Sequence, residues 1–250
     1  MTRDFDNHFA SVAKQYAQFR PHYPDGLVDL LAEHCTQHER AWDAGCGSGQ
    51  LTVALARRFS KVIGTDPSPE QLQQAEKHFA VEYLLATADL PLLDARTVDL
   101  AVSAQAAHWF HWPRYVAEVE RVTRPGAIVA LVSYGILSVE GGEADALMQR
   151  FYRDDAGPYW PPERKHVENG YRDLTWPWEE IETPPIDMTA RWTREQLVGY
   201  VSTWSATVRM INSLGPEPYQ RMTRELAEVW PDGEQRTITW PLTVRRAHRS

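Results

Sequence analysis

The chain has 250 residues, with 34 acidic against 26 basic side chains, a formal net charge of −8 with histidine neutral, and 43% hydrophobic residues. That apolar share is enough for a packed core, which excludes global disorder, and the acidic balance speaks against nucleic-acid binding as the main task. Two cysteines, Cys35 and Cys46, exclude a disulfide framework and suit a reducing cytoplasm.

Other absences narrow the setting further. Met1 to Phe9 carries charges and no apolar run, so no signal peptide is expected, and nowhere do eighteen apolar residues run together to span a membrane. The expected location is therefore the cytoplasm. No histidine or cysteine pair with zinc-ligand spacing stands beside a matching second pair, so no metal is expected. Arg245, Arg246 and Arg249 read as a solvated tail rather than a basic patch.

In chain order, Phe5, Phe9, Val12, Ala13, Tyr16 and Phe19 follow helical spacing and predict an amphipathic helix, closed by Arg20-Pro21-His22-Tyr23-Pro24. Residues 1–25 form a lid segment in this reading. Tyr16 and Arg20 share one face at four-residue spacing. Either the arginine serves a ligand carboxylate, or the helix packs with a surface arginine.

From 26 to about 135, helix-like and strand-like segments alternate, the mark of a parallel sheet wrapped by helices. A short helix from Leu27 to Glu33 precedes a weak first strand, Arg40 to Asp43. A helix from Leu51 to Arg58 leads to a second strand, Lys61 to Asp66. Ser68-Pro69-Glu70-Gln71 then opens a helix with a serine cap and proline in its first turn. Strands follow at Val81 to Ala88 and Val98 to Ser103. A helix from Pro113 to Thr123 is broken by Pro125-Gly126, and the fifth strand, Ala127 to Tyr134, is apolar throughout and so covered on both faces.

Beyond Gly135 the composition shifts. Aromatic residues crowd 151–204, and Pro158, Pro161, Pro162, Pro177, Pro184 and Pro185 make much of it irregular. Helices are expected at Thr193 to Trp204 and Pro216 to Trp230. Residues 136–234 read as a helical and irregular substrate cover with a strand near 181–190. Residues 235–250 read as the last sheet strand and tail, with Pro241 marking a bend in the strand from Arg236 to Arg246. The rings of 151–204 either cover a substrate or form the core of a C-terminal subdomain.

The chemistry centres on Asp43-Ala44-Gly45-Cys46-Gly47-Ser48-Gly49-Gln50. Alternate glycines let the backbone turn sharply and a ligand come close, and the helix start behind them offers unpaired N–H groups to an anionic or polar ligand. A dinucleotide fingerprint needs Gly-x-Gly-x-x-Gly. Both registers fail here, at Gln50 and at Thr52, which weakens the rival reading as a nicotinamide-dependent oxidoreductase. Asp66 ends the second strand, where an acidic side chain can accept both hydroxyls of a ribose. Asp89, in Ala88-Asp89-Leu90-Pro91, closes the third strand. His108, in Gln105-Ala106-Ala107-His108-Trp109-Phe110, follows the fourth. At the carboxyl end of a parallel strand His108 is either a general base or substrate anchor, or it and Trp109 simply wall a pocket.

These segments together, "YAQFRPHYP", "DAGCGSG", "GTDPS", "TADLP" and "AQAAHWF", resemble the class I S-adenosylmethionine-dependent methyltransferases. Within that family the chain is similar to the subgroup of small-molecule enzymes that includes trans-aconitate methyltransferase. The resemblance is strong over about 5–135 and looser over 190–206. It implies an α/β fold with a seven-stranded, doubly wound Rossmann-like sheet, order 3-2-1-4-5-7-6, strand 7 antiparallel. It also implies S-adenosylmethionine as cofactor, held by Tyr16, Arg20, Asp43, Ala44, Gly45, Cys46, Gly47 and Gln50. Asp66, Pro67, Ser68 and Gln71 would take the ribose side, Ala88, Asp89 and Leu90 the adenine, and Gln105 and Ala106 the far wall. His108 and Trp109 would form the substrate edge, with His108 the candidate catalytic group. The implied partner is a small-molecule acceptor, which could be a carboxylate. A non-catalytic protein that only binds S-adenosylmethionine is the other alternative.

Overall fold

The computed structural model describes residues 21–249, so Tyr16 and Arg20 lie outside the described residues. Its centre is one mixed sheet. β1 (Arg40–Ala44) pairs in parallel with β2 (Lys61–Asp66) on one side and β4 (Val98–Ala104) on the other. β3 (Val81–Leu85) extends the sheet beyond β2, and β5 (Thr123–Tyr134) lies beside β4, both parallel to their neighbours. β9 (Gln235–His248) then runs antiparallel along β5. Outside β9 lie β7 (Glu179–Ile181) and β8 (Ile186–Thr193), antiparallel to it.

The expected order therefore stands in outline, with its last strand antiparallel, but the count of seven does not: among the described residues nine strands form the sheet. Two breaks account for the difference. Pro184 and Pro185 lack the N–H a ladder needs and divide the outer position into β7 and β8. Gly135 to Leu137 interrupt the line of β5, which resumes as the two-residue β6 (Ser138–Val139) against Thr239 and Ile238 of β9.

β1 is a central strand despite its lack of Val, Ile and Leu. Trp42 supplies the missing apolar volume: it is fully buried, its Nε1 donates to Thr65 Oγ1 at 2.9 Å, and its ring lies 5.7 Å from that of Tyr115. Helix α1 (Asp25–Ala32) precedes β1, and α2 (Gln50–Leu55), α3 (Pro69–Gln73) and α4 (Trp112–Val122) connect later strands. α1 and α2 bury Leu27, Leu31, Leu51 and Leu55 against one face of the sheet, and α4 buries Tyr115, Val119 and Val122 in a separate cluster with Trp42 and Val129. Two layers of helix around parallel strands place all the loops after β1 to β4 at one edge.

A third cluster lies over that edge. It is built from α5 (Gly142–Arg150), the π-helical turn Phe151–Asp155, α7 (Arg194–Ser202), α8 (Ser205–Leu214) and α9 (Glu217–Val229), while the short α6 (Arg164–Glu168) buries Val167 in the cluster of α4. Met148, Phe151, Leu197, Val201, Met210, Leu226 and Trp230 are buried there with Ile238 and Trp240 of β9. No helix among the described residues is long and apolar enough to cross a membrane.

Candidate functional site

The turn after β1 owes its shape to glycine at two tight points. Gly45 has φ 71°, and a Cβ there would sit 2.5 Å from the Cβ of Ala106 in the turn after β4. Gly49 has φ 83°, and a Cβ there would sit 2.0 Å from Tyr83 Oη, so the loop rests on that ring. Most of the donors within the loop itself turn inward. Gly45 N and Cys46 N donate to Thr65 O at 2.8 and 3.0 Å, and Gly49 N donates to Cys46 O at 3.0 Å. The cradle therefore works by close approach rather than by a row of open donors.

Asp66 locks this loop to β2. Its Oδ2 accepts from Gly47 N and its Oδ1 from Ser68 N, both at 2.9 Å. Ser68 in turn caps α3 by accepting from Gln71 N at 3.2 Å. The acidic residue is thus held at the cavity wall with its orientation fixed. Asp43, beneath the loop, is buried and accepts a 2.7 Å bond from Thr52 Oγ1. Burial pushes its carboxyl up to about 7, with the nearby Asp66 adding to the rise and the Thr52 bond opposing it. Asp89 is shifted the other way, chiefly by a hydrogen bond from Thr87, so it stands as an ionised acceptor.

These groups open onto one cavity of about 800 Å³. Of the residues singled out from the sequence, Asp43, Gly45, Cys46, Gly47, Gln50, Asp66, Pro67, Ser68 and Gln71 line it, as do Ala88, Asp89, Gln105, Ala106, His108 and Trp109. Two do not. Ala44 is fully buried inside β1, and Leu90 points outward at 62% exposure. Gln50 Nε2 donates to Pro21 O at 3.0 Å, which ties the start of the described chain to the loop. Gln105 holds φ 56°, an uncommon conformation for a non-glycine residue, braced by its Nε2 donating to Tyr134 O at 3.0 Å.

His108 Nδ1 and Tyr171 Oη lie 3.0 Å apart. Burial, with the positive charge of Arg164 adding to it, pushes the imidazolium down to about 3, so His108 is neutral and weakly basic. A strong general base would titrate near the working pH. The histidine is better suited to a hydrogen bond than to proton removal.

Sequence reasoning missed part of the wall. Tyr23, Tyr134, Arg164 and Trp240 also line the cavity, and Tyr171 braces it from behind. Arg164 sits in a proline-rich stretch with no motif around it, and Trp240 lies on a strand read only as the last of the sheet. The signal for Tyr152, Trp160, Tyr200 and Trp204 was their density within 151–204, and these four do face the cavity. Among the described residues no group of histidine, cysteine, aspartate and glutamate is arranged to hold a metal.

Residues 42–131 match the methyltransferase-domain family. Over 239 residues, 94% of this chain and 91% of the relative, the sequence is 34% identical to a Dictyostelium discoideum protein named as a methyltransferase. A solved Anaeromyxobacter dehalogenans structure, described as a type II methyltransferase, is 40% identical and superposes with a TM-score of 0.87 over 92% of this chain and 98% of that one. An Anabaena variabilis structure, described as a methyltransferase from an antibiotic biosynthesis pathway, shares the fold at 16% identity and TM-score 0.54, over 90% of this chain and 98% of that one. The chain belongs to the class I S-adenosylmethionine-dependent methyltransferase family. This family membership displaces the oxidoreductase reading.

Proposed function

We propose that the protein transfers the methyl group of S-adenosylmethionine to a carboxylate oxygen of a small-molecule acceptor. The observation that carries this reading is the charge layout of the cavity: Asp43 lies near the end of β1, Asp66 ends β2 and Asp89 follows β3, while Arg164 belongs to the aromatic wall. The glycine cradle and the fixed carboxylate of Asp66 suit an adenosine with a short polar tail. Asp66 would accept the ribose hydroxyls, ionised Asp89 the adenine amino group, and the turn from Gly45 to Gly47 would hold the methionine end. Bound there, S-adenosylmethionine supplies a methyl group already activated by the sulfonium charge.

The acceptor side then has only to orient and to exclude water. Positioning in a near-attack geometry is worth about 7–11 kcal/mol in favourable intramolecular cases. The acceptor oxygen bonds to the methyl carbon as the carbon–sulfur bond breaks, and the electron pair stays on sulfur, leaving a neutral thioether and a neutral ester. An ionised carboxylate has no proton to lose, which agrees with a His108 held weakly basic. His108 and Trp109 would instead border the acceptor, His108 by a hydrogen bond. The two unpaired, buried thiols Cys35 and Cys46 support a reducing, cytoplasmic setting.

A methyl-transfer assay tests this, with radiolabelled S-adenosylmethionine and panels of carboxylic acids, alcohols and amines. Label appearing in base-labile esters of the acids is the expected result. Label in ethers or amines only would refute the carboxylate, and cofactor binding with no transfer across all panels would favour a protein that only binds.

A further inference from the structure

The part of the cavity away from the glycine loop is walled by rings fixed against one another. Tyr152 lies 5.3 Å from Trp160 and Trp160 5.7 Å from Trp204, while Tyr200 lies 5.8 and 5.7 Å from Trp204 and Trp240. Such packing makes a large, stiff apolar surface. The turn Phe151–Asp155 is π-helical, a geometry that often re-aims side chains at functional sites, and it carries Tyr152 onto this wall.

One cation stands in it. Among the described residues Arg164 is the single arginine or lysine that lines the cavity. Its guanidinium carbon lies 4.6 Å from the centre of the Trp160 ring, and its Nε donates to Tyr152 Oη at 3.3 Å. Glu168 is a loose partner, 3.9 Å from Nε, and already accepts a 2.6 Å bond from Tyr152 Oη. The Arg164 side chain is only 19% exposed, yet neither of its Nη groups has a hydrogen-bond partner among the described residues. Stacking fixes the plane of the guanidinium, and its two terminal nitrogens form an open fork of the kind that meets a carboxylate with two parallel bonds.

We infer that the acceptor is an acid with a single carboxylate on a ring-bearing apolar body, its carboxylate on the Nη fork of Arg164 and its body against the Trp160–Tyr152–Trp204 wall. This rests on the methyl-transfer reading above and narrows its acceptor. A compact polyanion is disfavoured, because among the described residues the wall offers one cation, while the carboxylates of Asp66 and Asp89 repel further carboxylates. The inferred acceptor therefore departs from the tricarboxylic acid that a trans-aconitate-type enzyme takes. The uncharged methyl ester has no charge for Arg164 to hold, so substrate and product differ at the group that binds by charge.

Calorimetry on the full chain tests this with cinnamate, methyl cinnamate and propane-1,2,3-tricarboxylate, each titrated with and without S-adenosylhomocysteine. Cinnamate is expected to bind at least about tenfold more tightly than its ester or the tricarboxylate. Arg164→Gln should weaken cinnamate about tenfold and leave the ester and S-adenosylhomocysteine within about twofold, which also shows that the variant is folded. Arg164→Lys should restore only part of the loss, since an ammonium cannot make the bidentate pair. Trp160→Leu should weaken acid and ester alike. An ester that binds as tightly as the acid, a tricarboxylate that binds more tightly, no binding of cinnamate in either state, or unchanged cinnamate affinity in Arg164→Gln would each overturn the inference. Failure of S-adenosylhomocysteine to bind, with Arg164-dependent cinnamate binding intact, would instead overturn the donor reading and leave the acid site standing.

Discussion

His108 and Tyr171 meet at 3.0 Å across 63 positions of sequence, joining the turn after β4 to the segment behind the aromatic wall. Tyr171 is fully buried at φ 61°, with its N–H donating to His166 O at 2.7 Å, so the phenol is held in a conformation that an unconstrained tyrosine would leave. That pair makes His108 a fixed hydrogen-bonding group.

Tyr171→Phe should therefore cost about 1–3 kcal/mol of stability, because the ring nitrogen is left buried without a partner. It should also raise the acceptor KM while leaving S-adenosylhomocysteine affinity unchanged. Urea unfolding and paired titrations of the variant check both. In the parent protein, nitrogen NMR of His108 should show a neutral ring at pH 5, whereas a midpoint near 6.5 would contradict the burial described here.

Asp43 gives the fold a specific pH dependence. Its carboxyl is pushed from 3.8 up to about 7 by burial, so between those values the folded state holds a proton that the unfolded state has released. Stability from this group falls as pH rises through that window and levels off above about 7. Asp43→Asn, which can still accept from Thr52, should remove the slope, so the variant gains on the parent between pH 4.5 and 7. Chemical unfolding of both proteins at several pH values measures this, and parallel curves would refute it.

Much of the sheet was legible because β1 to β5 alternate with helices whose apolar spacing and turn residues agree with one another. The helix break at Pro125-Gly126 was placed slightly late, since Thr123 already belongs to β5. The first strand was legible only weakly, because a single buried tryptophan replaces the usual branched residues, yet it stands at Arg40–Ala44. α8 passed unnoticed: it buries only Ala206, Thr207 and Met210, too little for an apolar stripe to show. Asp66, Asp89 and His108 were legible from their place at or just after the ends of successive strands. Arg164 and Tyr171 were not, because loops far apart in sequence bring them to the site and no local pattern marks such residues.

The fit of the glycine loop to Tyr83 predicts a separable pair of effects. Gly49→Ala forces a side chain into φ 83° and into the phenol, and should destabilise the protein by about 1–3 kcal/mol from backbone strain alone. Combining it with Tyr83→Ala removes the clash but not the strain. The double variant should recover part of the S-adenosylhomocysteine affinity that the single variant loses. No recovery would mean that the loop's backbone, not its footing, sets the affinity.

Chelation should leave methyl transfer intact, since the reading uses no metal. Loss of activity in EDTA with recovery on adding a divalent ion would contradict it.

The most direct measurement of the central claim is a calorimetric titration of S-adenosylhomocysteine and of NAD into the parent protein and Asp66→Ala. The account predicts that S-adenosylhomocysteine binds the parent and NAD does not. Losing charge-assisted bonds worth about 1.5–3 kcal/mol, Asp66→Ala should bind S-adenosylhomocysteine roughly tenfold or more weakly. Because Asp66 also accepts from Gly47 and Ser68, a modest loss of stability should accompany this, with the fold retained. Binding of NAD alone, or unchanged S-adenosylhomocysteine affinity in Asp66→Ala, would contradict the account.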